Sequence, residues 1–318
     1  MESVMRPLSS AILLAALAAA PALAASDQPI SLDTASGRIA GSLLLPDHAD
    51  KPPVALIIAG SGPTNRDGDN PGLPNGSGGY LKQLAQALAD AGIASVRYDK
   101  RAIGESRAAG LDEAALHFDD YVGDAAGWVA KLKTDPRFSK VAVIGHSEGS
   151  LIGMLAAEKQ GAAAFVSLDG PARNAADVLR TQLAPRLPGD LAKQSERILQ
   201  ALQQGREADK VPGPLMVVYR PSIQPYLISW FRYTPTTAIR ALKAPTLIVQ
   251  GEADRQVAKT EAEALHAAKP DSQLEWIPTM NHLLRDNDLQ HQAAYGEAPP
   301  PLAPALIQSV TRFLKQTL

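Results

Sequence analysis

Six apolar residues in a row, Val54–Ala59, run straight into Gly60-Ser61-Gly62-Pro63. A strand of that composition has no polar face. It must be covered on both sides, as the strands of a parallel sheet between two layers of helices are. Further strands are predicted over Ile39–Leu45, Ile93–Tyr98, Val141–Ile144, Ala163–Leu168, Pro245–Gln250 and Gln273–Ile277. Helical patterns alternate with them. Tyr80–Ala91 reads as a helix stopped by Gly92. Asp119–Leu132 carries Val122, Ala125, Val129 and Leu132 at helical spacing, and Asp119 or Asp120 is expected to cap it. Ser147–Glu158, Lys259–Ala268 and a last helix with Leu302, Leu306 and Val310 on one face complete the set. Strand–helix alternation predicts an α/β fold, a mostly parallel sheet with helices on both faces.

The alternation stops at Pro171. Residues 172–240 hold helical stretches, Asp190–Leu202 the clearest, and no strand of the central kind. We read them as a helical cap inserted above the sheet. The expected organisation is a leader over 1–25, core over 26–171, cap over 172–240 and core again over 241–318. Ala298–Pro304 is a proline-rich link into the final helix, and no internal repeat is present.

The leader is expected because Leu8–Ala20 is small and apolar apart from Ser9 and Ser10, after a short segment ending in Arg6. Ala22-Leu23-Ala24 has the small residues a signal peptidase needs, which predicts cleavage near Ala24 or Ala25 and a periplasmic or secreted protein. The run is shorter than the ~18 to 20 residues of a membrane span, so no span is expected after cleavage. With no cysteine in the chain, disulfides, a thiol nucleophile and thiolate metal sites are all excluded. The formal net charge of −2, without blocks of like charge, gives no reason to expect a nucleic-acid partner.

Gly145-His146-Ser147-Glu148-Gly149 lies between a predicted strand and a predicted helix. G-x-S-x-G has mechanical meaning there: the serine sits on a tight turn that lifts its hydroxyl above the strand end. Side chains two residues away on either side would collide with neighbouring backbone. The turn also aims the Glu148 N–H and the helix N-terminus at one point, where a negative oxygen would be stabilised. A matching base must come from six histidines. His282 follows the last strand and so shares the sheet edge with Ser147. His48, His117 and His266 sit in an early turn, before a helix and inside one; His146 should point away from the hydroxyl; His291 is the second choice. For the acid, Asp254 follows the strand ending at Gln250, with Glu252 and Asp169 as alternatives. The order Ser, Asp, His is the one this strand–turn–helix arrangement uses. Ser147 would attack a carbonyl, His282 would take its proton, and Asp254 would fix the imidazole. The loop after Val54–Ala59 supplies Ser61, whose backbone N–H would pair with that of Glu148 as an oxyanion hole.

With these stretches, and with Gly60 to Gly68, Arg97-Tyr98-Asp99-Lys100-Arg101, Gly251 to Asp254 and Asn281-His282, the chain resembles bacterial α/β-hydrolases. The resemblance is to the dienelactone-hydrolase-like and serine-aminopeptidase-like group, which has esterase members. It runs from about residue 38 to the C-terminus. It implies the α/β-hydrolase fold and hydrolysis of a small-molecule carboxylic ester, with no cofactor and no metal. Relatives of this kind usually have glycine after the Asp-Lys-Arg run. Ala102 stands there, and a local loop change is expected. Ala59 replaces a histidine that often precedes the first glycine. Arg66, Asp67 and Asp69 read as a hydrogen-bonded loop scaffold, and Tyr98, Asp99 and Arg101 as loop anchors.

Five of the fifteen aromatics fall between Tyr219 and Tyr233. We expect Tyr219, Tyr226, Trp230 and Phe231 to contribute an apolar wall over the serine, or else to pack the cap onto the core. A peptidase or acyltransferase would use the same three residues, and a non-catalytic binding protein could keep the fold. Acyl specificity and oligomeric state have no signature in the sequence.

Overall fold

The computed structural model describes residues 26–47, 49–72, 78–110, 112–286 and 299–318. The expected leader, and with it His48 and His291, lies outside them. Eight strands form one sheet: β1 (Gln28–Thr34), β2 (Gly37–Leu44), β3 (Val54–Ile58), β4 (Ala94–Tyr98), β5 (Val141–His146), β6 (Ala164–Leu168), β7 (Thr246–Gly251) and β8 (Gln273–Ile277). Their order is β1-β2-β4-β3-β5-β6-β7-β8. The β1/β2 and β2/β4 pairs are antiparallel and the rest parallel.

Strand β1 is absent from the sequence reading. It is an edge hairpin partner, half-exposed, with Pro29 in it, and only Ile30 and Leu32 mark its inner face. Prolines are confined to such edges because they cannot donate to a ladder.

The central strands bury both faces. Val54, Leu56 and Ile58 point to one hydrophobic cluster, while Ala55 and Ile57 point to the other. On the first side lie α2 (Phe118–Thr134), α3 (Glu148–Gln160) and α9 (Lys259–Ala268); on the second lie α1 (Tyr80–Asp90) and α10 (Pro304–Thr317). Helix α2 differs from expectation at its start. His117 is the N-cap residue, and the Asp120 carboxylate reaches back to accept from the His117 N–H at 2.9 Å. That reciprocal arrangement satisfies a first-turn donor. Helix α3 is small or apolar around its circumference, as a helix packed on several sides must be.

Between β6 and β7 the chain forms α4 (Ala175–Leu183), α5 (Gly189–Gln203), α6 (Met216–Tyr219), α7 (Gln224–Trp230) and α8 (Pro235–Ala241), without a strand. Ile198, Leu202, Tyr219, Leu227 and Ile239 join the same buried cluster as α2 and α3. These helices therefore continue the core.

The parallel register fixes where function can sit. Ile58 pairs with Gly145, His146 with Leu168, and Gly251 with Ile277. The segments after β3, β5, β6, β7 and β8 thus leave the sheet at one edge. Clefts in open α/β sheets form at that carboxyl edge.

Candidate active site

Ser147 sits between β5 and α3 with φ 54° and ψ −122°, a conformation costly for a residue with a Cβ. The surrounding glycines are required by contact. A Cβ on Gly145 would lie 2.2 Å from the Gly149 carbonyl oxygen, and one on Gly149 would lie 2.4 Å from that of Ile58. Gly60 also passes close by: a Cβ there would come within 3.2 Å of the Ser147 Cβ. Ser147 opens onto a cavity of about 130 Å³ whose lining includes Ser61, Thr64, Asn70, Gln256 and His282.

His282 Nδ1 and Asp254 Oδ2 are 2.6 Å apart. The Asp254 side chain is fully buried, and its Oδ1 accepts from the backbone N–H groups of Gln256 at 2.6 Å and Val257 at 3.0 Å. Both carboxylate oxygens are therefore held, and Nε2 is the ring nitrogen of His282 left without that commitment. Glu252, the neighbouring alternative, turns outward to Lys259 at 2.6 Å.

Asp169, the other alternative, follows β6 directly, with a carboxylate oxygen within 4.8 Å of a His282 ring nitrogen. Its Oδ1 accepts from the Gly251 N–H at 2.8 Å, while Oδ2 has no partner among the described residues. Burial, reinforced by the nearby Asp254 charge, pushes its carboxyl up to about 7. His146 completes this floor. Its Nε2 lies 2.8 Å from the His282 carbonyl oxygen, which can only accept, so Nε2 carries the proton. Nδ1 then accepts from the Tyr80 hydroxyl at 3.0 Å. Burial first, and the adjacent His282 second, lower His146 to about 3, so its ring is neutral. Ligand atoms of His146, Asp169 and His282 all fall within 4.8 Å of one another. Both nitrogens of His146 and Nδ1 of His282 are already taken by protein partners, so the trio is a hydrogen-bonded cluster. Both ring nitrogens of His146 are engaged, by Tyr80 and by the His282 carbonyl, so it buttresses His282, a contact that sequence spacing does not disclose.

A second polar cluster lies on the β4 side, and sequence reasoning missed it. Lys100, 1% exposed, donates to the Gly60 carbonyl at 2.6 Å and to Glu148 Oε2 at 2.9 Å. Tyr226 of α7 donates to the other Glu148 oxygen, and the ammonium lies 5.1 Å from the Tyr121 ring centre. The available signal was a lysine at the carboxyl end of a buried strand, where a solvated charge has no place.

The cap aromatics pack more than they line. Tyr219 is fully buried and shares a 2.9 Å hydrogen bond with Ser195. Trp230 stacks on Phe118 with centroids 5.8 Å apart. Phe231 is buried, and its carbonyl accepts from Asn174 at 2.7 Å. None of the four borders the cavity beside Ser147; large rings gain more from the α2 surface than from a small, polar cleft. Arg66, Asp67 and Asp69 form loop scaffold: Asp67 takes Arg97 at 3.0 Å, and Asp69 takes the Gly79 N–H at 2.8 Å. Arg101 pairs twice with Asp124, at 2.6 and 2.7 Å. Ala102 adopts φ 65°, the left-handed conformation that suits glycine. The Asp99 carboxylate holds the loop by accepting from the Arg66 and Glu105 N–H groups at 2.8 and 3.0 Å.

Residues 71–214 match the family model described as serine aminopeptidase, S33. The esterase EstD of Thermotoga maritima is 27% identical over 224 residues, 70% of this chain and 52% of that protein. The chain thus spans about half the length of this curated relative. Among solved structures, Est1E of Butyrivibrio proteoclasticus with bound ferulic acid superposes with a TM-score of 0.63 at 17% identity, covering 91% of this chain and 98% of that one. A dienelactone hydrolase from Anabaena variabilis gives 0.53 at 19%, covering 93% and 99%. The chain has the α/β-hydrolase fold. Its sheet order is that of the fold, and Ser147, Asp254 and His282 occur in that order along the chain. Among the described residues, no helix is long and apolar enough to cross a membrane.

Proposed function

We propose that the protein is a serine hydrolase that cleaves carboxylic esters through an acyl-enzyme. The observation that carries this reading is the 2.6 Å Asp254–His282 contact on the cavity that Ser147 opens onto from its strained turn. The similarity to named esterases supports it.

His282 Nε2 takes the Ser147 proton as Oγ bonds to the acyl carbon. The carbonyl oxygen becomes negative and faces the N–H groups of Ser61 and Glu148. His282 returns the proton to the leaving alcohol as the ester C–O bond breaks. Water then bonds to the acyl carbon as His282 takes its proton, and the acid leaves as the Oγ–acyl bond breaks and His282 returns the proton to Ser147 Oγ. Asp254 holds the tautomer throughout. We also propose export with removal of residues 1–25, which N-terminal sequencing of the protein from a periplasmic extract would test.

A fluorophosphonate probe should label the wild type and leave Ser147→Ala unlabelled. Labelling that survives the change overturns the assignment. A panel of short acyl esters, aminoacyl amides and acceptor alcohols should show ester turnover dominant; faster amide cleavage or acyl transfer would select the peptidase or acyltransferase reading.

A further inference from the structure

The Lys100–Glu148 pair lies outside the cavity lining yet touches both halves of the oxyanion hole. Gly60 C=O and Ser61 N–H belong to one peptide unit. In a trans peptide the two point in opposite directions. Lys100 Nζ, 2.6 Å from the Gly60 oxygen, therefore fixes the plane that carries the Ser61 N–H. Drawing electron density toward the carbonyl oxygen also makes that N–H a stronger donor, since linked hydrogen bonds polarise one another. The Ser61 N–H itself has no acceptor among the described residues. The same Nζ holds Oε2 of Glu148, whose own N–H opens α3 without an intrahelical acceptor. Tyr226 closes the other side of that carboxylate.

We infer that Lys100 is a positioning residue that clamps the Ser61 and Glu148 N–H donors into one oxyanion hole. The inference rests on the serine-hydrolase reading above. Lys100 is itself too enclosed to meet substrate, and its effect passes through the two peptide groups. The competing account is that Lys100 only neutralises a buried carboxylate.

The two accounts part in the variants. In Lys100→Met, kcat should fall about 10²-fold with KM little changed, as loss of a transition-state interaction requires. Inhibition by a trifluoromethyl ketone, whose serine adduct carries the oxyanion, should weaken in parallel. Binding of an unreactive amide analogue should hold. Removing a lone partner can cost the fold, so the deciding protein is Lys100→Met/Glu148→Leu/Tyr226→Phe, which replaces the whole network by apolar groups. It should recover thermal stability and still lack the 10²-fold in kcat. Recovery of kcat to near wild type in this variant overturns the inference, as does equal weakening of both inhibitors in Lys100→Met. Ser147→Ala runs alongside. If it still hydrolyses esters, the hydrolase reading itself falls; if it is inactive while the Lys100 variants turn over normally, only the clamp is lost.

Discussion

Two buried polar clusters flank Ser147, and they solve the problem of buried polarity in opposite ways. On the β6–β8 side, Asp169, His146 and Tyr80 surround the His282–Asp254 pair. There the environment pushes groups toward neutrality: Asp169 up to about 7, His146 down to about 3. On the β4 side, Lys100 and Glu148 meet at 2.9 Å as a closed ion pair. On the proposed mechanism the first cluster surrounds the imidazole that carries the proton, and the second, an ion pair closed by Tyr226, is the scaffold behind the oxyanion hole.

The largest test falls on the first cluster. Asp254→Asn keeps an oxygen for the Gln256 and Val257 N–H groups and so should fold. Its amide would face His282 Nδ1 with a donor and force the wrong tautomer. We expect kcat to fall about 10⁴-fold. A loss below about tenfold would mean that Asp169 substitutes as the acid, and the division between the clusters would be redrawn. The outcome is read by steady-state hydrolysis of a short-chain ester.

Stability should reveal the titrating side next. Asp169 is raised from 3.8 to about 7, so wild type loses stability as pH rises through that window and bears the full cost above it. Relative to wild type, Asp169→Asn should gain stability with rising pH, up to the order of 4 kcal/mol. His146 runs the other way. It is lowered from 6.5 to about 3, so wild type loses stability as pH falls through that range, and His146→Gln should lose less there. Between about 4 and 6.5 the two slopes oppose each other in wild type. Urea unfolding across pH separates them; parallel curves for wild type and Asp169→Asn would show that the carboxyl is not held neutral.

The two sides also differ in how far the sequence discloses them. Ser147, Asp254 and His282 announce themselves through strand ends and chain order, because each follows a run of buried β-pattern. Strands β3, β5, β6 and β7 were legible for the same reason: mostly apolar and buried on both faces, they have few alternatives. Lys100 also follows a buried strand, which signals that its charge needs a partner but not which one. Its role depends on Gly60 and Glu148 arriving from other strands, and no local pattern encodes that meeting. The cap aromatics were visible as a cluster but not by destination, since a ring's partner is set by tertiary packing. Strand β1 escaped because an exposed edge demands little of its residues.

The smallest expected effect lies in the loop that carries Lys100. Two non-glycine residues at positive φ flank the clusters: Asp169, in the first, at 46°, and Ala102, two residues after Lys100, at 65°. At Asp169 the side chain accepts the Gly251 N–H, so the strain has a local return. Ala102 has only a methyl group to place. The turn around Ala102 is closed by the Ile103 N–H to Lys100 carbonyl bond at 3.0 Å, and Asp99 accepts from the Glu105 N–H beyond the turn and from the Arg66 N–H of the neighbouring loop. A left-handed L-residue costs roughly 1–2 kcal/mol. Glycine removes that cost but loses about 0.5–1 kcal/mol of extra chain entropy on folding. Ala102→Gly should therefore stabilise the fold by about 0.5–1 kcal/mol in urea unfolding. A destabilised Ala102→Gly would mean that the methyl group, rather than the Asp99 anchor, holds the loop under Lys100, and the β4 side would then owe its rigidity to packing and not to its fixed charges.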